Sequence, residues 1–493
     1  MPKFIKELPL LKTDVYKVGH VGLYPKGTTK IYSTLTPRRN EFYPWSNEMV
    51  AFGYQMFVER LKEDFDNHFF NQRKEDIVYT YKRVVGSVMG NADYDTSHIE
   101  SLYDLGYLPI KIQALPEGTL VPMGVPVLTI QNTDKNFAWL SNYLETLILS
   151  ETFVTSTVAT TAHQFRKILT KYNKLSSDEP NIDYQIHDFS ERGQHGNEAS
   201  MLSGVAHLTS FKGSDTIQAP MMAELYYGAD LSKIGQTSAS VVATEHSVME
   251  ALSAKYDDGT DNKHQYEVYK DLLENNPTGI LSVVSDTYDY WEVVDKVLPA
   301  LKDEIMKRNG TLTIRPDDGD MKYNIEKTLN DLWKIFGGTI NSKGYKVLDP
   351  HIRMIYGEGV TLDKVEEFYK LILKNGFSTD NIVFGVGAYV YSVLTTRDSF
   401  AQAIKAQVVI IDGKEKHVYK DPKNDPTKLK TSLKGAVVDY YGIDGKLHVA
   451  DNLSLKQADN DHRQQLHTIF EDGEIKNKVT FEDIRTKLLE DIN

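Results

Sequence analysis

From residue 184 to residue 387, short apolar runs alternate with stretches of helical periodicity. Leu281-Ser282-Val283-Val284-Ser285 ends in Asp286, and Thr311-Leu312-Thr313-Ile314 ends in Arg315-Pro316-Asp317-Asp318-Gly319. Ile352-Arg353-Met354-Ile355-Tyr356 ends in Gly357-Glu358-Gly359, and Asn381-Ile382-Val383-Phe384 ends in Gly385-Val386-Gly387. Between them Leu362, Val365, Phe368, Tyr369, Ile372 and Leu373 recur along one helix face, with Gly376 placed as a stop. Residues 290–306 read as another helix, interrupted by Pro299. This alternation predicts parallel strands joined by helical crossovers. In a (β/α) barrel, functional groups collect at the carboxyl ends of the strands. Turn chemistry alone explains one polar strand end; four in succession point to a common site.

The two ends of the chain read differently. Strand-like pieces occupy residues 30–36, 109–114 and 125–130. Near the carboxyl end, Asp412-Gly413, Asp444-Gly445 and Asp472-Gly473 sit between β-favouring runs, as hairpin turns do. Thr480 opens a last helix over 481–489, with Glu482 and Asp483 in its first turn. The expected organisation is one mixed domain from residues 1–150 with 400–493, and an α/β barrel domain over 151–399.

Composition narrows the function classes. At 493 residues the chain is too long for one simple core. A net charge of −13 argues against broad nucleic-acid or anionic-membrane binding, without excluding a small basic pocket. The absence of Cys removes disulfides, thiolate nucleophiles and Cys-based metal sites. No apolar run approaches a membrane span, and no signal peptide follows Met1, so a cytoplasmic protein is expected.

Several residues carry candidate chemistry. Arg315 offers a planar fork for phosphate oxygens. Asp317 and Asp318 offer carboxylates for Mg²⁺ or for positive charge developing at a sugar carbon. A salt-bridged turn is the plain alternative. His187-Asp188-Phe189 with Arg192 places an aromatic and a cation close together, although His187 alone reads as a structural histidine. His246, after Ser240-Val241-Val242-Ala243, suits a base, a phosphate ligand or a nucleophile. Asp215 suits an acceptor for a substrate amide, or a turn cap. Neither a G-x-x-x-x-G-K-[ST] phosphate loop nor an H-E-x-x-H zinc helix occurs.

Taken in order, these segments resemble the nicotinamide phosphoribosyltransferase family over nearly the whole chain. The resemblance begins at Thr13-Asp14-Val15-Tyr16-Lys17-Val18-Gly19-His20. It is strongest at His187-Asp188-Phe189, Phe211-Lys212-Gly213-Ser214-Asp215-Thr216, Glu245-His246-Ser247, Val284-Ser285-Asp286-Thr287-Tyr288-Asp289 and Arg315-Pro316-Asp317. It runs on through Thr396-Arg397-Asp398. It implies an irregular (β/α) barrel of the type II phosphoribosyltransferase kind, with a mixed, β-rich domain formed by both chain ends. The implied reaction joins nicotinamide to phosphoribosyl pyrophosphate, giving nicotinamide mononucleotide and pyrophosphate for NAD salvage. Mg²⁺ is the implied cofactor and ATP a co-substrate acting through a phosphohistidine. The implied assembly is a homodimer with shared active sites.

The resemblance also assigns roles. Phe189 and a Tyr16 from the second subunit sandwich the pyridine ring, and Asp215 accepts from the carboxamide. Arg315 lies near the amide and the phosphates. Arg192 and His246 face the pyrophosphate, with Asp286 orienting His246. Arg397 and Lys405 face the 5′-phosphate, and Asp317 the ribose and Mg²⁺. Asp14 and Ser240 complete the substrate-binding set with Gly357, Glu358, Gly387 and Ala388. Four places depart from the family pattern. Glu358 replaces Asp in Gly357-Glu358-Gly359. Gly385-Val386-Gly387-Ala388-Tyr389 replaces a glycine-rich run. Ala239 and Ala403 replace an aromatic and a serine. A nicotinate-specific enzyme and an inactive binding homologue are the alternatives; the presence of His246, Arg315 and Asp317 speaks against the latter.

Overall fold

The two ends of the chain build an antiparallel sheet and the middle builds a parallel one. The computed structural model describes residues 2–317, 319–424, 431–490 and 492; Asp318, considered above with Asp317, lies outside the described residues. The chain forms two compact units. The first comprises Met1–Thr160, Met222–Ala229 and Leu394–Asp491; the second comprises Thr161–Met221, Asp230–Val393 and Ile492–Asn493.

In the first unit the sheet runs Lys414–His417, Ala403–Ile411, Thr28–Thr36, Leu128–Asn132, Ile110–Ala114, His467–Glu471, Glu474–Ile475. Every pairing is antiparallel. Thr28–Thr36 lies inside the sheet and buries Ile31 and Leu35 completely. Two of the Asp-Gly pairs turn their hairpins with both residues left-handed, at φ 49° and 73° for Asp412-Gly413 and 50° and 83° for Asp472-Gly473. That twist matches the flanking strands, and Asp and Gly tolerate it. The last helix, Phe481–Glu490, starts on a reciprocal cap. The Asp483 N–H donates to the Thr480 hydroxyl at 3.2 Å, and the Thr480 N–H donates to the Asp483 carboxylate at 3.1 Å.

In the second unit the apolar runs become β1 (Ile186–Asp188), β2 (Gly213–Ser214), β3 (Val242–Ala243), β4 (Leu281–Val284), β5 (Leu312–Arg315), β6 (Ile352–Tyr356) and β7 (Ile382–Val386). They pair in parallel in the order β2-β1-β7-β6-β5-β4-β3. The edges meet just before β3. The Ala239 N–H donates to the Lys212 carbonyl at 2.8 Å, and the Ser214 N–H donates to the Ala239 carbonyl at 3.2 Å. The sheet thus closes into an irregular barrel with short strands.

The predicted helix forms over Leu362–Lys374 and buries Leu362, Val365, Phe368, Tyr369 and Ile372. Gly376 follows its end at φ 75°. Phe368 and Tyr369 pack on Phe384 of β7 with centroids 5.7 and 5.4 Å apart. Each such aromatic burial contributes roughly 1.5–3 kcal/mol. The helix expected over 290–306 is broken. Tyr290–Glu292, a π turn over Val293–Val297 and Leu298–Ala300 precede a separate helix, Lys302–Lys307. Pro299 has no N–H to sustain the regular ladder. Among the described residues no helix is long and apolar enough to cross a membrane.

Candidate active site

Apart from Ser240, which precedes β3, the candidate residues of the second unit lie at or just beyond the carboxyl ends of its strands. Parallel register sets His187 of β1 opposite Gly213 of β2. Two residues further along that loop, Asp215 turns back to His187. The imidazole Nε2 lies 2.8 Å from Asp215 Oδ1, and the Ser240 hydroxyl donates to the same oxygen at 2.6 Å. Ser240 reaches it because the ring closes at Ala239. Burial alone would raise the Asp215 carboxyl. The donors His187 and Ser240, with the charges of His187 and Arg315, outweigh it and hold the group below its ordinary value.

Asp188, given no role from the sequence, ties the two loops together. Its buried carboxylate accepts from the Ser190 N–H at 2.9 Å and the Thr216 hydroxyl at 2.7 Å, and its carbonyl accepts from the Asp215 N–H at 3.0 Å. Phe189 follows, with its ring centroid 4.8 Å from that of His187 and 5.8 Å from the Arg315 guanidinium carbon. Backbone without side chains makes room for it. A Cβ on Gly385 would stand 2.3 Å from Phe189 Cε2, whereas one on Gly357 would stand at 3.5 Å.

On the other side, β4 and β5 are tied at their ends. The Ser285 N–H donates to the Arg315 carbonyl at 2.9 Å. The Ser285 hydroxyl accepts from buried Tyr269 at 2.7 Å and from the Arg315 N–H at 3.3 Å. Asp286 does not orient His246. Its Oδ2 accepts from the Asp317 backbone N–H at 2.6 Å, and its buried Oδ1 has no hydrogen-bond partner among the described residues. The neighbouring Thr287 takes the role instead, with its hydroxyl 3.0 Å from His246 Nδ1. His246 Nε2 then faces Asp317 Oδ2 at 3.7 Å. His246 opens the helix His246–Lys255, whose amino end favours a negative ligand.

Arg315 Nε is likewise buried without a partner among the described residues. Exposed Arg192 and Glu358 make no hydrogen bond or ion pair among them. Gly387 and Ala388 follow β7, and the Ala388 methyl comes so close to Gly193 that a Cβ there would stand at 2.4 Å. The side chain that interrupts the glycine-rich run is therefore accommodated by a glycine across from it.

Four predicted residues belong to the first unit. Asp14 precedes the helix Val15–Val18 and accepts from the Thr146 hydroxyl at 2.6 Å. Tyr16 is 65% exposed. Arg397 pairs with Asp398 at 2.6 Å. Lys405, on Ala403–Ile411, donates to the Ile404 carbonyl at 2.8 Å, and burial lowers its ammonium below the ordinary value despite the charge of Glu145.

Sequence reasoning assigned no role to Asp188, Tyr269, Ser285 or Thr287. Ser285 and Thr287 flank Asp286 in a quoted segment, a usable signal; nothing local marks Tyr269.

Residues 184–474 match the model of the nicotinate phosphoribosyltransferase family, and residues 9–112 match the nicotinamide phosphoribosyltransferase amino-terminal domain. The nicotinamide phosphoribosyltransferase of Acinetobacter baylyi is 38% identical over 98% of this chain and 97% of its own. That of Xanthomonas campestris pv. campestris is 30% identical over 97% of each. Human nicotinic acid phosphoribosyltransferase shares the fold, with a TM-score of 0.61 at 16% identity, over 97% of this chain and 93% of that one. The chain belongs to the nicotinamide phosphoribosyltransferase family.

Proposed function

We propose that the chain transfers the phosphoribosyl group of phosphoribosyl pyrophosphate to nicotinamide, giving nicotinamide mononucleotide and pyrophosphate. One observation carries the reading. Phe189, Arg315 and the acceptor-only carboxylate of Asp215 stand together at the carboxyl ends of β1, β5 and β2. An aromatic face, a carboxamide acceptor and a guanidinium suit a flat neutral amide beside an anionic co-substrate.

The pyridine nitrogen attacks the anomeric carbon as the bond to pyrophosphate breaks, and the bond's electron pair leaves with pyrophosphate. Asp317 offers negative charge to the oxocarbenium-like centre, and Arg315 and Arg192 take the phosphates. Mg²⁺ commonly binds one or two carboxylates and completes its shell with phosphates and water. The partnerless Asp286 Oδ1 fits that donor set with Asp317, and no group of three or more such ligands occurs among the described residues. Mg²⁺ would neutralise charge on the departing pyrophosphate.

ATP would transfer its γ-phosphoryl group to His246 Nε2, the ring nitrogen that Thr287 leaves free, with ADP departing. Tyr16 is exposed enough to serve a second copy of the chain in a homodimer. The test is to supply phosphoribosyl pyrophosphate and Mg²⁺ with either nicotinamide or nicotinate, with and without ATP. Mononucleotide from nicotinamide, increased by ATP, is expected; no product from either base removes the reading.

A further inference from the structure

We propose that His187 is a positioning residue for base choice, acting through Asp215. The proposal rests on the reading that Asp215 receives the carboxamide, and it assigns a task to a residue that otherwise passes for structural.

An ionised carboxylate has about four lone-pair positions. On Asp215, Oδ1 already takes the His187 ring nitrogen at 2.8 Å and the Ser240 hydroxyl at 2.6 Å. Oδ2 accepts nothing among the described residues. The carboxylate therefore offers one oxygen outward, as an acceptor only. An amide N–H satisfies that oxygen; the carboxylate of nicotinate meets it as a like charge without a proton. One loophole exists. If Asp215 were protonated on Oδ2, it would donate to nicotinate and welcome the acid. Two donors converging on Oδ1 favour the ionised form and close the loophole.

The ring is built into place for this task. His187 is 9% exposed, lies against Phe189 at 4.8 Å, and has its Nδ1 2.9 Å from where a Cβ on Gly213 would stand. Only backbone fits on that side. With its hydrogen on Nε2 the imidazole donates to Asp215 without carrying a charge.

The test compares kcat/KM for nicotinamide and nicotinate in the full-length protein and in His187→Leu, His187→Gln and Asp215→Asn, with folding checked by thermal melts. His187→Leu should lower the nicotinamide-to-nicotinate ratio by roughly tenfold, the scale of one hydrogen bond to a charged group. The change should lie in KM for the bases and leave KM for phosphoribosyl pyrophosphate in place. His187→Gln keeps a donor near the Nε2 position and should restore most of the ratio. Should His187→Leu not fold, His187→Asn, whose amide stops short of Asp215, carries the same expectation. An unchanged ratio in a folded donorless variant overturns the proposal. So does an equal loss for both bases that His187→Gln fails to rescue, since that marks a structural role. If Asp215→Asn itself leaves the ratio unchanged, the reading of Asp215 fails first, and the proposal falls with it. If Asp215→Asn shifts the ratio and the donorless variants do not, only the role of His187 falls.

Discussion

The two sides of the barrel mouth are finished to different degrees. On the side of β1 and β2 the protein's own donors hold both carboxylates in place. Asp188 is buried and satisfied, and Asp215 holds two donors on one oxygen. On the side of β4 and β5, polar groups are left wanting. Asp286 Oδ1 and Arg315 Nε are buried without partners among the described residues. A buried polar group without a partner costs about 1–3 kcal/mol. The contrast teaches that one subsite is preorganised for a small rigid molecule, while the other awaits a charged one to satisfy it.

The largest expected effect breaks the unsatisfied side. Asp317→Ala removes the carboxylate proposed to face the sugar, and kcat should fall roughly 10²–10³-fold, the scale of one lost electrostatic contact in an active site. Steady-state kinetics with both substrates varied would check it; a matching rise in KM for nicotinamide would erase the division between the two sides. Next, His246→Ala should abolish stimulation by ATP and leave basal transfer. Stimulation that survived intact would move the phosphate to another residue. Gly385→Ala tests the finished side. Its Cβ would stand 2.3 Å from Phe189, so the ring must shift. Overpacking of this kind costs about 1–3 kcal/mol, which thermal melts and KM for nicotinamide would register together.

The smallest effect concerns pH. The folded Asp215 is held below its ordinary value despite burial, because His187, Ser240 and Arg315 favour the charged form. Its contribution to stability is therefore present above the ordinary carboxylate value and is lost as pH falls through the lowered one. KM for nicotinamide should stay flat from neutral pH down to about pH 5, above the ordinary carboxylate range. A rise beginning near pH 6 would mean that the carboxylate is not so held.

Much of this is legible in the sequence alone. Alternating apolar runs and their polar ends located all four sequence-read strands of the barrel to within two residues, because periodicity and turn chemistry are local. The Asp-Gly hairpins and the stop at Gly376 were legible for the same reason: left-handed backbone favours those residues. The partner of His246 was not. Thr287 and Asp286 are neighbours in sequence, and nothing local says which side chain faces the helix His246–Lys255.

The sequence by itself determined which residues stand at strand ends and which chemistry they bring: Phe189, Asp215, His246, Asp286, Arg315 and Asp317. Only the tertiary structure decided who touches whom. Closure of the ring between Gly213 and Ala239 brings Ser240 to Asp215, across 25 residues of chain. Parallel register between β4 and β5 turns Asp286 toward the Asp317 backbone, across 31 residues. The physical reason is common to both. A strand's pattern encodes its own faces, whereas its neighbour is chosen by the packing of the whole barrel, which no local run of residues records.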